Sequence, residues 1–284
     1  MSFLIVLIAY LLSRYTDLAR WLQRDRWFNQ GIEHLAARYL ASALPFFLLV
    51  VGVSLLTGAL IRILPFGTGF LASVAVLLYS LGRHQWRDYI TRTTEDLRTG
   101  RAETVWLSLE SEGYINTGST DALWMAIRKH AAYNSLSDLF TVFFWFCFAG
   151  SAGAVFSCLL HLYNAHNTVR NSRIPAFTQW QYALEWLPAR YMALCFCLAG
   201  NFNSCFSVWR QLAIDTQLDT REFLCRCLDA ALIVEDTPAS DIARSEEQEM
   251  VAQSLHYGNS LQDLLKRTEM IGLVGLALTV LLVS

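Results

Sequence analysis

Long apolar stretches alternate along the chain with segments in which charged residues recur every few positions. Five of the stretches are long enough, or nearly so, to cross the hydrocarbon layer of a bilayer as a helix. They are residues 43–61, 66–82, 138–163, 180–200 and 270–284. A sixth, residues 3–13, has ten apolar positions from Phe3 before the sequence turns charged. It is predicted as a short crossing or an interfacial helix.

The polar segments between these stretches have a helical pattern of their own. In "STDALWMAIRKHAAYN" a Ser/Thr/Asp start precedes Leu123, Ile127 and Ala131 at helical spacing. Residues 221–235 and 250–265 repeat that pattern, and no stretch alternates with the period of a strand. The sequence therefore predicts an all-α fold, a polytopic membrane helical bundle with cytoplasmic amphipathic helices. One membrane domain would cover residues 1–284, with the amphipathic helices in segments 83–137 and 201–267.

The composition agrees with a membrane protein. Hydrophobic residues make up 54% of the 284 and charged residues only 16%, whereas soluble domains carry about 25% charge. The basic residues are spread out, and no run of them is dense enough to favour nucleic acid binding. The lipid bilayer is therefore the expected partner, and nucleic acid is not.

The positions of the basic residues predict an orientation. Segments 14–41, 83–137 and 201–267 hold 18 of the 22 Lys and Arg residues. Cytoplasmic loops are enriched in Lys and Arg. The three segments are therefore predicted to face the cytoplasm, on one side of a membrane that the chain crosses several times.

The seven cysteines include two C-x-C pairs, 195/197 and 225/227. On a helix, residues two apart point about 200° away from each other, so neither pair can chelate a metal ion by itself. Neither a metal site nor a cofactor is predicted. Phosphate-loop, HExxH and G-x-S-x-G motifs are absent from the sequence, which argues against an NTPase or a hydrolase.

The stretch "EWLPARY" places Glu185, Pro188 and Arg190 inside the fourth apolar segment. Ionisable groups in a bilayer usually face a partner or a wet cavity. Proline removes the backbone bond to the carbonyl of Leu184 and is expected to kink or break the helix. That carbonyl then needs a donor, which Arg190 or a ligand would supply. The alternatives are an ion pair of Arg190 with Glu185 or another acid, and a binding pocket.

Six further residues are candidate ligand contacts because polar groups cluster where the apolar stretches begin or end. Ordinary interface polarity, belt aromatics beside them and helix capping are the alternatives. The six are His84 and Asp88 after the second stretch, Asn134 and Asp138 before the third, and His161 and Asn164 at its end.

Residues 120–155 and the element "LEWLPARYMAL" (184–194) resemble the AmpE family of bacterial inner-membrane proteins. The resemblance implies a regulatory or sensor protein linked to β-lactamase induction and muropeptide recycling, without evident catalysis. It also implies a cell-wall-derived or nucleotide ligand, and other membrane proteins or a second copy as partners.

That family is similar to the cobalamin-pathway synthases, which attach aminopropanol phosphate to adenosylcobyric acid. Tyr133 and Asn134 fall on a Glu-Asn pair of the synthases, and Asp138 is displaced by one residue from their acid. Gln181 and Tyr182 fall on an acidic pair. Since ATP-dependent amide synthesis needs carboxylates to hold Mg²⁺, these replacements favour the regulatory interpretation. A membrane-bound amide-forming synthase of the cobalamin pathway is the alternative.

Overall fold

The structure is a computed structural model, and it describes residues 2–16, 22, 30–31, 43–81, 86–111, 114, 120–169, 175–232 and 246–283. Over these residues the chain is all-helical, as the sequence predicts, and they contain no strand. The chain divides into two compact units. Unit 1 comprises Met1–Arg83, Ser137–Pro188 and Val274–Ser284, and unit 2 comprises His84–Leu136 and Ala189–Leu273.

The helices follow the apolar and amphipathic stretches of the sequence. In chain order they are α1 (Ser2–Tyr15), α2 (Ala43–Ile63), α3 (Phe66–Ser80), α4 (Trp86–Arg98), α5 (Ala102–Ser111), α6 (Thr120–Ser135), a π-helical turn (Leu136–Phe140), α7 (Thr141–Val169), α8 (Pro175–Ala199), α9 (Phe202–Leu212), α10 (Thr220–Ala231) and α11 (Glu246–Val283).

Within the described residues, one helical run is long and apolar enough to cross a membrane, judged by length and composition. It is Ala122–Asn164, 43 residues long. Leu4–Tyr15, Phe47–Ile63 and Gly67–Ser80 are shorter apolar helices. The helices thus lie where the apolar stretches predict them, and crossing by more than one of them stays a prediction.

Two predicted helix boundaries are missing. Residues 120–149 are helical, with a π-helical turn at Leu136–Phe140, so Asn134 lies near the end of α6 and does not begin a helix. The capping interpretation of Asn134 is therefore wrong. Likewise α11 is one helix of 38 residues, although two segments, 250–265 and 270–284, were predicted.

The break expected at Pro188 is absent, the kink expected there stays a prediction, and a non-helical residue occurs in a different helix. Helix α8 runs from Pro175 to Ala199 with Pro188 inside it, so the proline does not break it. Helix α7 contains the non-helical residue, Gly150, with φ 65° and ψ −153°. Only glycine adopts that region readily.

Unit 1 is built around α2, α3 and α7, which pack against one another, and α1 packs on α3 and α7. Helix α2 approaches α7 closely at Gly58. A Cβ on Gly58 would lie 2.9 Å from the Cβ of Ala152. Next to this contact the core joins α2, α7 and α8. It consists of Val50, Val155, Leu159, Leu160, Tyr163 and Leu184.

Unit 2 contains most of the amphipathic helices. Helices α4, α5 and α6 pack on one another, and α10 packs on both α6 and α9. The predicted buried face of α6 is confirmed, because Leu123, Ile127 and Ala131 are each less than 5% exposed. Burial of this face against α4 and α5 is what holds the amphipathic helices together, since isolated helices of this length are marginal in water.

Candidate functional site

Four polar side chains of unit 1 meet between α7 and α8, and three of them were candidates from the sequence. His161 and Asn164 come from α7, and Gln181 and Glu185 from α8. Glu185 is 3% exposed. The Gln181 Nε2 donates to Glu185 Oε1 at 2.8 Å, and the Asn164 amide donates to Gln181 Oε1. We refer to these four residues as the polar cluster.

The hydrogen bonds of the polar cluster fix the orientation of its amide and its imidazole. The same Gln181 Nε2 that donates to Glu185 lies 3.0 Å from His161 Nδ1. Because an amide nitrogen only donates, Nδ1 must accept, and the proton of a neutral ring is then on Nε2. That nitrogen lies 3.2 Å from Glu185 Oε1. It is within ion-pair distance of the carboxylate but makes no hydrogen bond to it, and Gln181 on the same helix as Glu185 donates to that carboxylate.

The carbonyl that Pro188 leaves without its helical donor has one from a neighbouring helix. Trp145 of α7 donates its indole N–H to the Leu184 carbonyl oxygen at 3.0 Å. The sequence predicted Arg190 or a ligand in this role, and that assignment is wrong. A buried carbonyl without a donor is costly, so the indole explains how α8 retains a proline in its interior.

Arg190 has a different task, in unit 2. Its Nε donates to the carbonyl of Ala213 at 3.1 Å and its Nη2 to that of Asp215 at 2.9 Å. These carbonyls follow the end of α9, where helix carbonyls lack partners. The guanidinium carbon also lies 4.4 Å from the centroid of the Phe223 ring. Glu185 and Arg190 thus belong to different units, and each has polar partners in its own.

The two candidate ligand contacts after the second apolar stretch, His84 and Asp88, do not form a site in the described structure. His84 lies outside the described residues, and Asp88 is in the first turn of α4. Trp86 beside them is no belt aromatic, since it is 3% exposed and donates to Glu269 Oε1 at 2.6 Å. Arg87 pairs with the other oxygen of that carboxylate. Glu269, which the sequence did not single out, is thus a buried anchor of α11 within unit 2.

Asn134 and Asp138 belong to different units. Asn134 is 7% exposed, and its amide nitrogen lies 3.3 Å from His130 Nδ1, one turn earlier on α6. The His130 ring is flanked by Tyr89 and Tyr114, with centroids 4.2 and 4.9 Å away. Asp138 lies in the π-helical turn of unit 1 and is 5% exposed.

Charged pairs join α6 to α10. Arg128 Nε lies 2.6 Å from Asp229 Oδ1, and Lys129 Nζ lies 3.0 Å from Glu222 Oε2. The hydrogen bond from Lys129 lowers the pKa of Glu222 below its ordinary value. Burial raises the pKa of Asp229 in spite of its arginine partner. These pairs connect two helices of unit 2. The polar cluster belongs to unit 1 and to other helices.

The cysteines form a group that the sequence did not predict. Cys197, Cys205 and Cys227 are completely buried, and the Cys197 and Cys205 sulfur atoms lie 3.0 Å apart. These three come from α8, α9 and α10. In the part of the chain that the structure describes, no group of three or more His, Cys, Asp or Glu side chains is arranged to hold a metal ion.

Only one member of the polar cluster was missed as a candidate. Gln181 drew attention as a replacement for an acid and not as a contact. The signal was available, because Gln181 and Glu185 are four residues apart and share a helix face. The pairing of that face with α7 is a tertiary contact, which no local pattern encodes.

Comparison with known proteins gives one distant relative. The chain is 28% identical over 164 residues to the cobalamin biosynthesis protein CobD of Stutzerimonas stutzeri (strain A1501). The match covers 54% of this chain and 52% of the relative, so the chain spans about half the length of that protein. No protein-family model matches the chain, and no solved structure matches it. The similarity favours the cobalamin alternative over the regulatory interpretation.

Proposed function

We propose that the chain is a membrane protein of cobalamin assembly that forms an amide bond, with the polar cluster as its ligand-contacting site. The observation that carries this proposal is the burial of Glu185, 3% exposed, against His161 and Gln181. Ionisable groups within apolar helical segments are expensive, and they usually mark functional sites. The similarity to CobD supplies the pathway.

The cluster suits a proton-transfer role. An amine that attacks an activated carboxyl group must lose a proton, and a carboxylate and a neutral imidazole are the side chains that most often accept one. Glu185 Oε1 lies 3.2 Å from His161 Nε2, and His161 Nδ1 already accepts from Gln181, so Glu185 is the group placed to receive the proton. Asn164 and Gln181 hold the two groups in place and are positioning residues.

The Mg²⁺ that amide-forming synthases require does not fit this cluster. Mg²⁺ binds oxygen ligands, mainly carboxylates, and the cluster has one carboxylate beside an imidazole and two carboxamides. We therefore derive no step through a metal ion here.

An assay with purified protein tests the proposal. Full-length protein in detergent would be incubated with ATP, Mg²⁺, adenosylcobyric acid and aminopropanol phosphate, and the amide product measured by mass spectrometry. Glu185→Gln should lower the rate at least tenfold, since general acid–base groups contribute about 10²–10⁴-fold. Glu222→Gln, which changes a carboxylate of unit 2, is the control. Wild-type protein that forms no product above a mock preparation would contradict the proposal.

A regulatory or sensor role, as in the AmpE family, is the second candidate. It is supported by Tyr133 and Gln181, which replace acids of the synthases. A strain lacking the gene would be complemented with wild type, Glu185→Gln or Glu222→Gln, and β-lactamase induction measured. Induction that requires Glu185, together with no amide product, would favour this candidate. Induction that none of the variants changes would exclude a role for the cluster in it.

A further inference from the structure

Four arginines of unit 2 are buried or half-buried among the residues that the structure describes, and one of them differs from the rest. Arg87 pairs with Glu269, Arg128 pairs with Asp229, and Arg190 donates to two backbone carbonyls. Arg221 has no carboxylate within ion-pair distance in the described part of the chain. The carboxylate that acts on its charge is that of Asp219, two residues earlier, which forms no ion pair with it.

Aromatic rings hold Arg221 in place. Its guanidinium carbon lies 4.5 Å from the ring centroid of Tyr133 and 5.0 Å from that of Tyr114, and it is hydrogen-bonded with Tyr133. A guanidinium has five N–H donors in a plane. The rings hold the guanidinium and Tyr133 takes one of its hydrogen bonds, so donors remain for a planar bidentate contact with an oxyanion.

A second observation comes from the residue before Arg221. Thr220, the first residue of α10, is 2% exposed, and its hydroxyl has no hydrogen-bond partner in the described structure. Such a buried polar atom is uncommon and calls for a partner. Asp219 at the helix N-cap makes no side-chain capping bond, so the first N–H groups of this 12-residue helix lack that acceptor.

The last turn of α6 packs beside the first turn of α10. Tyr133 contacts Arg221 while Arg128 contacts Asp229, so α6 and α10 run antiparallel and the last turn of α6 lies beside the first turn of α10. Ser135 in that turn is fully buried, and its hydroxyl also has no hydrogen-bond partner in the described residues. The buried Thr220 hydroxyl and the Arg221 cation thus lie at a helix N-terminus, which favours anions.

We propose that the first turn of α10 binds a phosphate group, with Arg221 as the principal contact and Thr220 as a hydroxyl donor. A tetrahedral phosphate has enough acceptors for the guanidinium edge, the hydroxyl and the backbone N–H groups together. Asp219 is solvent-exposed, so water screens its charge. The site is in unit 2 and does not depend on the polar cluster, so it goes beyond the proposed function.

The test measures thermal unfolding of the full-length protein in detergent with and without pyrophosphate. Sodium chloride of equal ionic strength serves as the salt control. Pyrophosphate should raise the unfolding midpoint of wild type, of Arg226→Gln, and of Glu185→Gln. Arg226 is the matched control, because it lies on α10 and is solvent-exposed beside Glu222. Arg221→Gln should lose the rise, and Arg221→Lys should need about tenfold more pyrophosphate because it lacks the planar fork.

A hydroxyl variant keeps the test decisive if Arg221→Gln does not fold. Thr220→Val removes the buried hydroxyl with little change of shape, so the midpoint without pyrophosphate should stay or rise. Its response to pyrophosphate should fall several-fold. A full response to pyrophosphate in both Thr220→Val and Arg221→Lys would overturn the proposal. So would a wild-type midpoint that rises neither with pyrophosphate nor with phosphatidylglycerol. In either case the role of Arg221 would be structural.

A lipid headgroup and a soluble phosphate are distinguished by a second arm. The same variants would be unfolded in micelles that contain phosphatidylglycerol or phosphatidylcholine. A rise with phosphatidylglycerol alone, lost in Arg221→Gln, assigns the site to an anionic lipid. A rise with pyrophosphate assigns it to a soluble phosphate compound. If Glu185→Gln abolishes catalysis yet keeps the phosphate response, the two sites are shown to be separate.

Discussion

At the scale of single residues, Pro188 shows how a helix keeps a proline in its interior. Its ring removes one donor, and the Trp145 indole replaces that donor at 3.0 Å from the Leu184 carbonyl oxygen. The new donor belongs to a different helix. The hydrogen bond that the proline removes within α8 is therefore replaced by a tertiary hydrogen bond between α7 and α8. The pair can be tested as one unit.

We expect Trp145→Phe to lower the free energy of unfolding by about 1–3 kcal/mol, the cost of leaving a buried carbonyl without its donor. Pro188→Ala returns an N–H to α8, so the double variant should recover most of that loss. Thermal and urea unfolding in detergent would measure both. The control is Trp180→Phe, because Trp180 is 52% exposed. Equal losses in the single and double variants would refute the assignment.

Arg190 gives a second prediction at this scale. Arg190→Lys keeps the charge but cannot reach both Ala213 and Asp215 while stacking on Phe223, so unfolding should become easier by about 1–2 kcal/mol. Arg210→Lys on the exposed side of α9 should change stability by less than about 0.5 kcal/mol. Hydrogen exchange at the end of α9 would show whether the loss is local. An unchanged exchange rate there would contradict the capping role.

The sequence predicted much of the site at residue scale but misassigned its bonds. Glu185, His161 and Asn164 were identified because polar residues in apolar stretches are conspicuous. Arg190 was assigned to Leu184 because the two are near in sequence, whereas the donor to that carbonyl lies 39 positions before it. A single sequence shows only which residues are near each other along the chain. It does not show partners that are distant in sequence and meet only in the folded structure.

At the scale of elements, hydrophobic periodicity predicts the positions of the helices. It does not predict where consecutive helices are joined without a break. Helices α2 and α3 begin and end within a few residues of the predicted stretches. The sequence predicts one helix that reaches Asn134 and a separate apolar stretch from residue 138. The structure joins the two through a π-helical turn at Leu136–Phe140, an irregularity that no hydrophobic period encodes.

The contact of α6 with α10 should depend on pH through Glu222. The hydrogen bond from Lys129 lowers the pKa of this carboxyl in the folded state. Its contribution to stability is therefore present above the unfolded pKa and is lost as the pH falls through the folded value. Between about pH 5 and pH 3, the unfolding midpoint of wild type should fall more than that of Glu222→Gln.

Asp263→Asn provides the comparison for that titration, because Asp263 is in an exposed pair with Lys266 and such pairs contribute little. Its acid limb should match that of wild type. If Glu222→Gln and wild type lose stability in parallel through this range, Lys129 does not hold the carboxylate as described.

At the scale of the whole molecule, the orientation in the membrane stays a prediction from the basic residues. Reporter fusions after residues 110 and 235 should give a cytoplasmic signal, and a fusion near residue 170 a periplasmic one. The reason is that segments 83–137 and 201–267 hold most of the positive charge outside the amino-terminal region. A periplasmic signal after residue 110 would reverse the predicted orientation.

Each hydrogen bond of the polar cluster has a defined donor and acceptor, and this order restricts where a further proton can be added. One nitrogen of Gln181 serves both His161 and Glu185, so donors run from Asn164 through the amide to the ring and the carboxylate. A second proton on the imidazole would set two donors against each other, and the amide would have to rotate by half a turn. Rotation would in turn place its oxygen against Glu185. Protonation of the ring would thus require the Gln181 carboxamide to turn over, so this uncharged side chain decides whether the site can hold a second proton.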